Sequence, residues 1–141
     1  MSFVLPQRVR FQHCDPAGIV FYPRYFEMLN ATIEEWFATR LGHSFAEIHG
    51  PMRMAVPTAA LSAEFRAPSR LGDVLDFTLA LKRVGHASCE IGVTVACAGA
   101  PRVAFLSTLV WIALEDGRPK PWPGALRARL VAEIDAEGDD G

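Results

Sequence analysis

The run His13-Cys14-Asp15-Pro16-Ala17-Gly18-Ile19-Val20-Phe21-Tyr22-Pro23 puts one carboxylate in a Pro/Gly turn shortly before a helix opens. Pro23 is the residue type favoured at a first helical position. A carboxylate facing a helix N-terminus can attack a carbonyl or take a proton from water. The first N–H groups of the helix lack intrahelical acceptors and can hold the negative charge that develops. Pro23 has no N–H, so Tyr22, Arg24 and Tyr25 are the available backbone donors. Taken alone, an aspartate before proline is more often a turn starter than a catalyst. Gly18 suits the turn on either reading, because a tight turn needs a residue that tolerates positive φ.

Two other chemistries are weaker. His13, Cys14 and Asp15 are adjacent and point in different directions. No second cluster has ligand spacing, so no metal is expected. Cys14 as a nucleophile needs a base such as His13 or His43, and a small turn cysteine is the commoner role.

The elements that must position Asp15 follow from periodicity. Phe3 to Gln12 reads as a strand despite Pro6. Pro23 to Leu41 reads as a helix, ended by Gly42. Phe26, Leu29, Ile33, Trp36, Phe37 and Leu41 recur at spacings of three and four on its core face. From Met54 the period becomes two. Pro57, Ala59, Leu61, Ala63 and Phe65 alternate with polar residues, then Leu75 to Leu81, then Cys89 to Cys97. Val103 to Leu114 is apolar on both faces, which predicts a central strand or one covered by a partner. Leu126, Leu130 and Ile134 stand at helical spacing, and residues 136–141 read as a disordered acidic tail. Short turns between strands predict one antiparallel meander. The whole is a single α+β domain over residues 1–135, a curved sheet wrapped around one long helix.

Composition bounds the rest. The 141 residues are half hydrophobic, which suggests surface buried between subunits, and the net charge of −2 argues against nucleic-acid binding. No apolar run of about 18 residues is present, so no membrane span is expected. The first residues lack a signal-peptide pattern, and three cysteines without framework spacing fit a reduced cytoplasm.

The stretch Phe11 to Phe37, centred on Cys14-Asp15-Pro16-Ala17-Gly18-Ile19-Val20-Phe21-Tyr22-Pro23, resembles the 4-hydroxybenzoyl-CoA thioesterase family of the hotdog fold. Ala67-Pro68 with Gly72-Asp73-Val74-Leu75 resembles the family's turn between its second and third strands. The resemblance implies a hotdog subunit, assembled as a homodimer or homotetramer with active sites at the dimer interface. It implies hydrolysis of an aryl- or short acyl-CoA thioester with no cofactor. Asp15 matches the catalytic aspartate, acting as nucleophile or base, and Tyr22 the residue whose N–H polarises the thioester carbonyl. Gly18 belongs to the same motif, and Pro23 and Asn30 fall among the substrate contacts. Asn30 stands where the 4-hydroxybenzoyl-specific members have an aspartate. Gly85-His86-Ala87 replaces a basic run for the CoA phosphates, leaving Lys82, Arg83 and His86 nearby as candidates; Arg66 and Arg70 could also bind the phosphates, although each such charge is more often a solvated strand end. Hotdog hydratases place a histidine a few residues after the aspartate, and residues 16–23 contain none. A non-catalytic acyl-CoA-binding protein is the remaining alternative.

Overall fold

The first strand, β1 (Phe3–Arg8), is shorter than its periodicity suggests. It stops where the chain leaves the ladder for a single 3-10 turn at Phe11–His13, held by the Arg10 N–H on His13 Nδ1 at 2.8 Å. The computed structural model describes residues 2–140, with side chains through Ile134.

The helix α1 (Pro23–Thr39) follows. It ends where Gly42 takes φ +79, and the His43 N–H closes back on the Phe37 carbonyl at 3.0 Å. A left-handed residue at this place is what glycine tolerates without a Cβ penalty. The short helix α2 (Phe45–His49) has no counterpart in the periodicity reading. Its cap is local, with the Ser44 hydroxyl accepting the Glu47 N–H at 3.1 Å.

The strands β2 (Met54–Ala55), β3 (Thr58–Phe65), β4 (Val74–Val84), β5 (Ser88–Cys97), β6 (Ala100–Val110) and β7 (Ile112–Ala113) come next, then α3 (Gly124–Asp140). The helix α3 runs on through residues 136–140, which the sequence reads as a disordered tail. The apolar run after Val103 splits between β6 and β7, because β7 turns away to pair with β2. Within the main sheet β6 is an interior strand.

The five-stranded sheet has the order β1-β4-β5-β6-β3, all neighbours antiparallel. The single meander is therefore corrected. β4, β5 and β6 form one, but residues 66–73 carry the chain across from β3 to the far side, and β3 pairs with β6. Alternation reports which face of a strand is apolar, not which strand lies beside it.

One apolar core joins α1 to the sheet. Trp36 and Phe37 are fully buried with Leu75, Phe77 and Leu79 of β4, Ile91 and Val93 of β5, and Val103 and Phe105 of β6. Gln7 of β1 ties the helix down from one side, donating to the Met28 carbonyl at 2.9 Å and to Thr32 Oγ1 at 3.0 Å. α3 holds the C-terminal end of α1, with the Trp36 indole N–H on Glu133 at 2.9 Å.

The edge strand β3 departs from its apolar pattern. Leu61 and Phe65 share the inner face with Ser107 and Val103, their partners on β6, yet remain 42% and 48% exposed. An uncapped edge with half-exposed apolar side chains is a template for pairing. We expect the chain to self-associate. Light scattering at micromolar concentration should give at least a dimer mass, and a monomer would contradict this.

Candidate active site

The carboxylate is set by a small hairpin. Cys14 pairs with Val20, the Asp15 N–H donates to the Ile19 carbonyl, and the Gly18 N–H donates to the Asp15 carbonyl, both at 2.9 Å. Gly18 takes φ +79, which closes this turn. Asp15 Oδ1 accepts the Ala17 N–H at 2.9 Å, an Asx turn that locks the side chain. Among the described residues the carboxylate has no further hydrogen-bond partner. It is half-buried and borders two hollows. One, about 290 Å³, brings Asp15 together with Phe21 and Arg24 at the helix start. The other, about 430 Å³, lies between Phe11, Gly18 and Leu71.

The helix start narrows the choice of backbone donor. The Arg24 N–H turns back to the Phe21 carbonyl at 2.9 Å and the Tyr25 N–H to the Tyr22 carbonyl at 3.1 Å. Among the described residues the Tyr22 N–H has no acceptor, and no side chain caps the helix. Of three donors open in the sequence, one remains free. It lies between Phe21 and Arg24 in the chain, the two helix-start residues that share a hollow with Asp15.

An aromatic collar stands beside this opening. Phe65, at the end of β3, meets the rings of Tyr22, Tyr25 and Phe26 at 6.3, 5.9 and 6.3 Å. Phe26 also meets Phe105 at 5.6 Å. Tyr22, Tyr25, Phe65 and Arg66 line a third hollow of about 340 Å³. Pro23 is the first helical residue. Asn30 is exposed one helical stripe beyond Pro23 and Phe26, and lines none of these three hollows.

Lys82, Arg83 and His86 are not gathered here. They lie at the opposite end of the 11-residue β4 from the segment that docks the Asp15 turn. At the usual strand rise that is roughly 30 Å away within one chain. Arg66 instead borders the collar, and among the described residues its side chain carries only an exposed pairing with Glu64 at 3.3 Å.

The segment that docks the turn escaped the sequence reading as a functional element. Val20 donates to the Ser69 carbonyl at 2.9 Å, and the Leu71 N–H to the Gly18 carbonyl at 3.2 Å. The buried Tyr25 hydroxyl donates to Ser69 Oγ at 2.9 Å. Arg102 of β6 donates to the Pro68 carbonyl at 2.9 Å, Ser69 Oγ at 3.1 Å and Asp73 Oδ2 at 3.0 Å. The Arg70 N–H and the Arg102 guanidinium hold the Asp73 carboxyl below the usual carboxylate range. The one signal in the sequence was an arginine, Arg102, immediately before the apolar run that starts at Val103.

The sulfur chemistry finds no base among the described residues. His13 Nδ1 is occupied by the Arg10 N–H, and burial lowers the His13 pKa against the opposing pull of Glu27. His43 pairs with Glu47, at the other end of α1 from Cys14. Burial pushes the Cys89 thiol up to about 12, which leaves it inert at neutral pH. Among the described residues no group of three or more His, Cys, Asp or Glu is placed to hold a metal ion. Among the described residues no helix is long and apolar enough to cross a membrane.

A family model described as the thioesterase-like superfamily matches residues 9–130. A 4-hydroxybenzoyl-CoA thioesterase from Pseudomonas sp. (strain CBS-3) is 44% identical over 36 residues, 26% of each chain. This match spans about a quarter of that relative's length. A 1,4-dihydroxy-2-naphthoyl-CoA thioesterase from Synechocystis superposes with TM-score 0.85 at 21% identity, covering 96% of this chain and 98% of that one. A hypothetical protein from Staphylococcus aureus in complex with CoA superposes with TM-score 0.89 at 15% identity, covering 96% and 85%. At such identities the likeness establishes the hotdog fold.

Asp73→Asn should cost stability in a pH-dependent way. The folded carboxyl is depressed, so its contribution is full above the unfolded value near about 3.9 and fades as pH falls through the folded pKa. Urea midpoints from neutral to acid pH should show the parent's advantage shrinking below about pH 4. A constant difference across that range would contradict the assignment.

Proposed function

The chain belongs to the thioesterase-like superfamily, and we propose that it hydrolyses an aryl- or short acyl-CoA thioester to the free acid and CoA. The observation that carries the reading is a turn-locked Asp15 sharing a hollow with a helix start whose Tyr22 N–H has no other acceptor among the described residues.

A thioester has little resonance stabilisation, so its carbonyl is electrophilic and its thiolate leaves readily. The carbonyl oxygen accepts the Tyr22 N–H, and the helix dipole favours the charge that grows there. One such donor is worth roughly 3 kcal/mol of barrier. In one route Asp15 attacks the carbonyl carbon. The C–S bond breaks, CoA leaves as the thiolate, and water opens the resulting anhydride. In the other, Asp15 takes the proton of a water that attacks directly and returns it after the thiolate departs. Both routes are redox-neutral and regenerate the carboxylate.

The collar of Tyr22, Tyr25, Phe26 and Phe65 supports a flat, apolar acyl group, since aromatic rings favour edge and offset contacts with one another. The relatives named for aryl-CoA substrates point the same way. Asn30 stands one stripe farther along α1, where a neutral amide accepts or donates without demanding a phenol. The exposed β3 edge beside the collar supports a site completed by a second copy of the chain.

Asp15→Asn should reduce kcat by at least about a thousandfold while circular dichroism and oligomer mass stay those of the parent, because an amide is a poor base and nucleophile. Activity within a few-fold of the parent would remove Asp15 from the mechanism. Arg66→Ala should raise KM for an acyl-CoA about tenfold, the loss of one charge-assisted contact, and leave the matching N-acetylcysteamine thioester unchanged. Lys82→Ala with Arg83→Ala should change either value less than about twofold. The reverse result would place the phosphates at the far end of β4.

A further inference from the structure

We infer that Tyr25, Ser69 and Arg102 are positioning residues that set the separation between the Asp15 turn and the start of α1. The inference rests on the thioesterase reading above and adds three residues to it.

Ser69 is fully buried and grips both halves of the site. Through its hydroxyl oxygen it accepts the Tyr25 O–H, from the first turn of α1, at 2.9 Å. Through its carbonyl it accepts the Val20 N–H, from the arm that leaves the Asp15 turn, at 2.9 Å. One residue therefore touches the helix that carries the oxyanion donor and the hairpin that carries the carboxylate. A second strut, the Leu71 N–H on the Gly18 carbonyl at 3.2 Å, joins the segment that carries Ser69 to the hairpin.

Ser69 cannot drift, because Arg102 holds it from the sheet. One guanidinium nitrogen reaches the Pro68 carbonyl, Ser69 Oγ and Asp73 Oδ2, all within 3.1 Å. Asp73 in turn caps the Arg70 N–H at 2.9 Å. Its carboxylate neutralises the guanidinium at the sheet rim, where side-chain exposure is 17% for Arg102 and 27% for Asp73. Val103, the residue after Arg102 on β6, pairs with Phe65 at the end of β3. The reference frame is thus the core sheet, and the chain runs from β6 to Arg102, to Ser69, and out to both Val20 and Tyr25. Among the described residues the hydrogen bonds of Asp15 lie within its own hairpin. The Phe21 N–H on the His13 carbonyl at 2.9 Å closes that hairpin next to Tyr22, and Ser69 adds the link from the hairpin to Tyr25 in the first turn of α1.

Reacting groups misplaced by about 1 Å can lose about a hundredfold in rate, so a single lost strut should show in kcat. Tyr25→Phe removes one hydroxyl and keeps the buried ring. It should lower kcat about tenfold and leave KM for the same acyl-CoA within about twofold. It should also speed amide exchange at Val20 and Leu71 about tenfold, with Ile91 and Val93 in the sheet unchanged. Tyr25→Phe with Ser69→Ala should lose no more than the worse single variant, since both break one link. Arg102→Gln, at the rim, gives the same signature should Ser69→Ala fail to fold.

Unchanged Val20 exchange in Tyr25→Phe overturns the inference. Faster exchange with unchanged kcat also overturns it, because the link would then be structural only. A parent inert towards every acyl-CoA overturns the thioesterase reading, and the positioning role with it. Activity in the parent with additive losses in the double variant overturns the shared link alone.

Discussion

Seven side chains on one face of α1 are buried, from Tyr25 and Met28 to Trp36 and Phe37, and the rest of the molecule is arranged to keep them so. Burying a large apolar side chain contributes about 1.5–3 kcal/mol. An exposed ion pair such as Arg24–Glu27 contributes about 1 kcal/mol or less. The axial position of the helix is therefore decided by packing. It cannot slide towards solvent without uncovering Trp36 and Phe37, nor rotate without lifting Leu29 and Ile33 from the sheet. Its first turn consequently ends at a fixed place on the sheet's rim, where Tyr22 presents an N–H with no acceptor among the described residues. The chemistry proposed for the chain uses a polar group exposed by the same packing that stabilises the fold.

The opposite requirement governs β3. It pairs with β6 on one side and shows its other edge, and its inner apolar face is only partly roofed by α1. Phe65 at its end closes on Tyr22, Tyr25 and Phe26 rather than on the main core. The aromatic collar thus lies where the sheet is unfinished, next to the helix start. Phe65 therefore belongs both to the proposed self-association edge and to the proposed acyl collar.

Local features were legible because local physics sets them. The Asp15 turn was readable from proline, aspartate and glycine at fixed spacing, and the Gly18 φ of +79 agrees. Pro23 and Gly42 bracket a helix whose observed end, Thr39, falls within two residues of the expected one. β4 and β5 appear with their apolar residues inward. The misreadings concern contacts between distant segments. Periodicity placed Leu61 and Phe65 on an apolar face, and they are on it, but the face is half uncovered. Short turns suggested that β3 lies beside β4, and it lies at the other edge.

By itself the sequence determined which residue types meet in the turn, where α1 begins and which face of each strand is apolar. Each of these depends on backbone angles and spacing within a few residues. Only the structure decided which of three N–H groups is free among the described residues, since that required the Arg24 and Tyr25 N–H groups to turn back onto the Phe21 and Tyr22 carbonyls. Only it separated Lys82, Arg83 and His86 from Asp15, because the direction of β4 relative to the hairpin is a property of the sheet. The Ser69 network joins residues 44 apart, Tyr25 and Ser69, and 29 apart, Asp73 and Arg102. Hydrogen bonds between segments so far apart leave no periodic trace, and exist only once hydrophobic burial has brought those segments together.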